Sequence, residues 1–105
     1  MENALAEGDE GILGFANFSH VKEEGEVELA AIYLKPSAQG QGVGTKLLQQ
    51  GLSKLNPSEV FVNVESENEV GKHFYVAEGF VAVDEFEEDF DGHLLQTTRM
   101  VLDIL

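Results

Sequence analysis

The sequence predicts an α/β fold, a sheet with helices packed against its faces, and three observations point to it. Apolar runs at 11–18, 27–34 and 60–64 have the length and residue types of strands. Between the last two, from residue 43 onward, apolar residues recur at helical spacing instead. After a second short helical segment come two further runs, joined by an Asp91-Gly92 hairpin signal.

In chain order, "GILGFANF" (11–18) reads as a strand with aromatic ends, and the preceding "NALAE" is positioned to pair with it across "GDEG". "VELAAIYL" (27–34) is apolar on both faces except at Glu28, the pattern of a central strand. Pro36 ends it, since proline cannot donate to a ladder. Val43, Leu47, Leu48, Leu52 and Leu55 form the stripe of a helix that Asn56 and Pro57 stop. "VFVNV" (60–64) is a second buried strand, and "VGKHFYVAEG" (70–79) a short helix closed by Gly79. "FVAVDEF" and "HLLQTTRMVLDIL" complete the order strand, strand, helix, strand, helix, hairpin.

The chain has 105 residues, enough for one domain over 1–105, and 43% hydrophobic residues with seven Phe can bury a core. Cysteine is absent, which removes disulfides, thiolate nucleophiles and Cys-ligated zinc. The three histidines show no metal-ligand spacing and no catalytic dyad. The N-terminus has no basic, apolar leader, and no run approaches the roughly 20 apolar residues of a membrane span. A soluble, cytoplasmic protein without a membrane partner is expected. A net charge of −14 disfavours nucleic acid, whose phosphates need a basic face. Lys35, Lys46, Lys54 and Lys72 nevertheless cluster around a glycine-rich stretch, while acids crowd into "EEGEVE" (23–28) and "DEFEEDFD" (84–91).

That stretch, "QGQGVGTKLL" (39–48), lies between a strand and a helix. Free N–H groups in a helix's first turn and the helix dipole favour anions there, and glycines let the backbone approach one closely. It is neither a P-loop, which needs Lys-Ser/Thr after its last glycine, nor the G-x-G-x-x-G of dinucleotide folds. It does fit Q/R-x-x-G-x-G/A, through Gln39, Gly40, Gln41, Gly42, Val43 and Gly44.

Here the chain resembles the GNAT superfamily of acyl-CoA-dependent N-acyltransferases. "IYLKPSAQGQGVGTKLL" matches the family's strand–Pro–loop–helix run. "NEVGKHFYVAEGF" matches its N-x-x-[AG]-x-x-F-Y-x-x-x-G-F element through Asn68, Gly71, Phe74, Tyr75, Gly79 and Phe80. The closing hairpin looks like the family's last two strands, so the resemblance covers roughly residues 10 to 105. It implies a mixed, mainly antiparallel sheet and acetyl-CoA as cofactor. Its pyrophosphate would sit on backbone amides of residues 39–45, Thr45 included; the alternative is a tight turn that binds nothing. The resemblance also implies that backbone groups of Ile32, Tyr33 and Leu34 meet the pantetheine arm. Asn68 would contact the cofactor near that arm, a role compatible with capping the following helix.

Amine acylation requires a proton acceptor, a donor for the departing thiolate and stabilisation of the carbonyl oxygen. Glu28 is the candidate base: it is the only charge on its strand, simple alternation puts it on the face of Ala30 and Ile32, and some relatives carry a catalytic glutamate at the matching place. The alternative is a solvated glutamate continuing the acid run before it. Tyr75 matches the family tyrosine that faces the coenzyme A sulfur and protonates it; the alternative is an aromatic packing a helix onto the sheet.

Family domains commonly begin with a strand and two helices, and this chain begins at about the second strand. A minimal member, a partner chain or swapped homodimer, or a truncated product would each account for that. Two readings follow: an N-acetyltransferase acting on a small cationic amine or a peptide amine, with "DEFEEDFD" beside the acceptor, or a non-catalytic acyl-CoA-binding module completed by a partner.

Overall fold

The computed structural model describes residues 2–9, 11–22 and 24–104. Six strands and two helices follow in chain order: β1 (Glu2–Gly8), β2 (Gly11–Phe18), β3 (Glu26–Leu34), α1 (Val43–Leu55), β4 (Glu59–Glu65), α2 (Glu69–Ala77), β5 (Val81–Phe90) and β6 (His93–Asp103). The strands form one sheet in the order β1-β2-β3-β4-β6-β5. Every pair is antiparallel except β3 with β4. A parallel pair needs a crossover, and α1 supplies it. The expected hairpin is present: Asp91 and Gly92 both take positive φ, 51° and 85°, which suits the right-handed twist of the flanking strands.

The parallel pair is short. It runs only through Glu26↔Glu59, Val27↔Val60 and Glu28↔Phe61. Beyond Glu28, β3 stays paired with β2 while β4 stays paired with β6, so the two central strands part and a wedge opens between them. The bend has a local cause. Phe18 faces Leu29 and Asn17 faces Ala31, which leaves Ala30 as an extra residue on β3. Such a bulge bends the strand and increases its twist.

The bulge also reverses the alternation along β3. Ala16 and Phe18 share one face of β2, so their partners Ile32 and Leu29 share that face too. Glu28 therefore points to the opposite side from Ile32, contrary to the face that simple alternation assigns to it. The expectation that β3 is apolar and buried on both sides fails for the same region: Ala30, Ala31 and Tyr33 are exposed.

Both helices pack on one face of the sheet. Val27, Leu29, Val60, Val62, Val64, Leu47, Tyr75, Phe80 and Met100 join in a single buried cluster there. Gly51, in the middle of α1, lets that helix approach the sheet, because a Cβ at this position would overlap the fully buried Phe18 ring. On the opposite face an apolar row crosses the first three strands. Leu5 pairs with Phe15 and Phe15 with Tyr33. The two aromatic rings stack with centroids 5.7 Å apart. These side chains are 47%, 38% and 52% exposed, so helix packing belongs to the other face.

Candidate active site

The glycine-rich loop is built from two different uses of glycine. Gly40 and Gly42 take φ of 78° and 77°, a conformation in which a Cβ is strained. Nothing lies within 4 Å of where their Cβ atoms would be, so a ligand can approach the backbone. Gly44 has a different role. A Cβ there would meet Phe74 Cε1 at 2.8 Å, so the glycine allows α1 to pack on α2. Gln41 braces the loop, its Nε2 donating to the Ser37 carbonyl at 2.9 Å.

Gly42 is the N-cap of α1 and offers no side-chain cap. The N–H groups of Val43, Gly44 and Thr45 thus begin the helix without intrahelical partners. The first turn carries no acidic residue, although the chain has twenty. No side chain of the turn itself therefore offsets the partial positive charge of the dipole end. Thr45 Oγ1 donates to Glu78 Oε2 at 2.8 Å, which ties this turn to the C-terminal end of α2.

A cavity of about 480 Å³ opens where β3 leaves β4, between the end of β3 and α2. One wall is the end of β3, Ile32 to Leu34; the floor is Gln39 and Gly40; the other wall is the first turns of α2, with Asn68, Val70, Gly71, Phe74 and Tyr75. Six residues singled out as cofactor contacts in the sequence, Ile32, Tyr33, Leu34, Gln39, Gly40 and Asn68, and Tyr75 besides, meet in this one space. Gln41, Gly42, Val43, Gly44 and Thr45 do not line it and continue from its floor into α1. Gly71 and Phe74, matched in the sequence without an assigned cofactor contact, also line it, as does Val70, which the sequence did not mark.

Asn68 caps α2: its Oδ1 accepts from the Gly71 N–H at 2.9 Å. Gly71 packs closely beside it, since a Cβ there would stand 2.6 Å from Asn68 Nδ2. Tyr75 is 7% exposed. Its ring meets Phe74 and Phe80 edge-on, at centroid distances of 5.4 and 5.3 Å. Burial pushes the phenol above its ordinary value of 10.0, since the phenolate would lose hydration there.

Glu28 lies apart from the cavity lining, at the apex of the wedge and on the face opposite the helices. Ser19 holds its backbone: Ser19 Oγ accepts from the Glu28 N–H at 2.8 Å, and the Ser19 N–H donates to the Glu28 carbonyl at 2.9 Å. Glu28's partner Phe61 carries cations on the same face. Arg99 Cζ is 4.8 Å from the Phe61 ring centroid and Lys22 Nζ is 5.9 Å from it. This group has no signature in the sequence, because cross-strand neighbours are fixed by register rather than spacing. The acidic run of β5 does not form one patch: Glu87 and Glu88 are adjacent strand residues and so point to opposite faces.

Among the described residues no group of three His, Asp or Glu side chains is arranged to hold a metal, and no helix is long and apolar enough to cross a membrane.

Similar folds occur among solved structures. Nourseothricin acetyltransferase matches with a TM-score of 0.86 and 22% identity, over 96% of this chain and 64% of its own. A spermidine N-acetyltransferase variant from Vibrio cholerae matches with a TM-score of 0.79 and 21% identity, over 96% and 64%. A Salmonella typhimurium protein assigned to the acetyltransferases, solved with its cofactor acetyl-CoA, matches at 0.75 and 23%, over 93% and 62%. The chain spans somewhat under two thirds of the length of each, and at these identities the likeness concerns the fold. A family model described as an acetyltransferase (GNAT) domain matches residues 2–82. The chain belongs to the GNAT acetyltransferase family.

Proposed function

We propose that this chain is an N-acetyltransferase that moves an acetyl group from acetyl-CoA to a primary amine. The observation that carries the reading is the cavity in the wedge, where the unpaired edge of β3, the glycine loop, Asn68 and Tyr75 converge. The residues suit the cofactor. The N–H groups that open α1, free of acidic neighbours in their turn, receive the pyrophosphate. The backbone of Ile32, Tyr33 and Leu34 runs past the end of the β3–β4 pairing and is free to bond the amides of the pantetheine arm. Asn68 lines the same space.

Acetyl-CoA supplies an activated acyl group whose carbonyl carbon is attacked by the amine. Most alkylamines are protonated at neutral pH, with pKa values near 10. Glu28, at the apex of the wedge, accepts that proton directly or through a water. Tyr75 keeps its proton at neutral pH and donates it as the thiolate leaves. Backbone N–H groups of β3 stabilise the carbonyl oxygen as charge builds on it.

Spermidine N-acetyltransferase among the similar folds is in keeping with an amine acceptor. The test is free-thiol release from acetyl-CoA over a panel of small amines and peptide N-termini. Thiol release coupled to N-acetylated product is the expected result. Acetyl-CoA binding with no release for any amine would favour an acyl-CoA-binding module instead.

A further inference from the structure

We propose that the acceptor is a small amino-acid-like molecule, and that Arg99 binds its carboxylate on the helix-free face of the sheet. This rests on the acetyltransferase reading above and narrows its acceptor.

Arg99 sits on β6, directly across from Asn63 of β4. Three contacts hold its guanidinium. Nε donates to Asn63 Oδ1 at 3.0 Å. The group lies 4.8 Å from the Phe61 ring centroid and 5.7 Å from that of Phe86. Together they clamp a planar cation between two aromatic rings and leave its outer N–H fork unoccupied among the described residues.

The fork has no carboxylate partner among the described residues, whereas Lys54 pairs with Glu2 and Lys72 with Glu69. That is unexpected in a chain with twenty acids and six basic residues. The nearest acid by register is Asp84, whose Oδ1 instead accepts from the Glu85 N–H at 2.9 Å. A fixed, half-buried guanidinium with a free fork suits a carboxylate, which it can bind through two parallel hydrogen bonds.

Its position relates it to the reaction. Phe61 is the last β4 residue paired with β3, and its partner is Glu28. The two backbones are therefore about 4.8 Å apart at the apex of the wedge. Arg99 is itself two strands from Glu28, but its guanidinium stands over the Phe61 ring of the intervening strand, so a carboxylate bound there and an amine at Glu28 fall within the reach of one small molecule. Lys22 Nζ, 5.9 Å from the same ring, adds a second positive charge at this face. A purely cationic amine would meet Arg99 and Lys22 at this face, while the acids of β5 divide between the two sides of the hairpin.

The test compares two ligands that differ by one carboxylate. Free lysine and cadaverine are titrated calorimetrically into the full chain saturated with coenzyme A. Lysine should bind at least tenfold more tightly than cadaverine. Arg99→Gln should erase that difference by weakening lysine alone, and Arg99→Lys should retain part of it. Equal binding, preference for cadaverine, no binding of either, or a preference that survives Arg99→Gln in a folded variant would overturn the proposal. The wild-type comparison decides the matter even if Arg99→Gln does not fold. Thiol release in a parallel assay separates the two claims. An Arg99-dependent lysine preference without turnover counts against the transferase reading alone, and turnover without the preference counts against the carboxylate site alone.

Discussion

Gly44 of α1 lies against the edge of Phe74 of α2, so close that a Cβ would stand 2.8 Å from Phe74 Cε1. This contact fixes the distance between the helix that carries the proposed pyrophosphate seat and the helix that carries Tyr75. It also separates two properties of the loop, since Gly40 and Gly42 serve backbone conformation and Gly44 serves packing.

Gly44→Ala should therefore act through the helix pair. Phe74 must shift by a few tenths of an ångström, and overpacking of this kind costs about 1–3 kcal/mol. Because Phe74 lines the cavity, acetyl-CoA affinity should fall together with the melting temperature. Melting curves and calorimetry on the same sample check this; affinity lost without any loss of stability would argue that Gly44 acts on the ligand directly.

Tyr75→Phe keeps the edge-on ring contacts and removes the hydroxyl. Turnover should fall by about 10²-fold, a common contribution of a positioned general acid, with little change in acetyl-CoA binding. Burial raises the phenol above 10.0, so its donor form persists across the neutral and mildly alkaline range. The wild-type kcat profile should show no loss from Tyr75 below that value. An unchanged kcat in Tyr75→Phe would leave the residue a packing role only.

Glu59 offers a pH test that is independent of function. Partial burial, a hydrogen bond with Glu26 and the charges of Glu26, Asp103 and Glu24 raise its carboxyl above 4.5. The fold thus favours the protonated form. Its stabilising contribution is complete below the unfolded value and is lost as pH rises through the raised one. Glu59→Gln should melt higher than wild type at pH 7, and the advantage should fade as pH drops below 4.5. Thermal melts at several pH values decide it; a gap that widens in acid would reverse the sign of this account.

Strands and helices were legible because hydrophobic period changes from two to 3.6 at Val43 and back again at β4. The loop was legible because positive φ at 40 and 42 calls for glycine, and the start of α2 because its first turn takes a side-chain cap from Asn68. The face of Glu28 was not, because the extra residue at Ala30 reverses an alternation that the sequence shows as unbroken. Arg99, Phe61 and Phe86 were also missed: they come together through the pairing of β4, β6 and β5, a long-range register that no local pattern encodes.

In the proposed complex the wedge between β3 and β4 seats acetyl-CoA with its pyrophosphate on the loop before α1. Calorimetric titration of acetyl-CoA into the wild-type chain and Gly42→Glu tests it most directly. The position has open space for the new side chain, which would set a carboxylate beside the helix N–H groups. Strain at φ 77° should cost about 1–2 kcal/mol, so a melting curve confirms that the variant is folded. The account predicts saturable one-to-one binding by wild type and none by folded Gly42→Glu. Equal binding by both, or none by wild type, would contradict it.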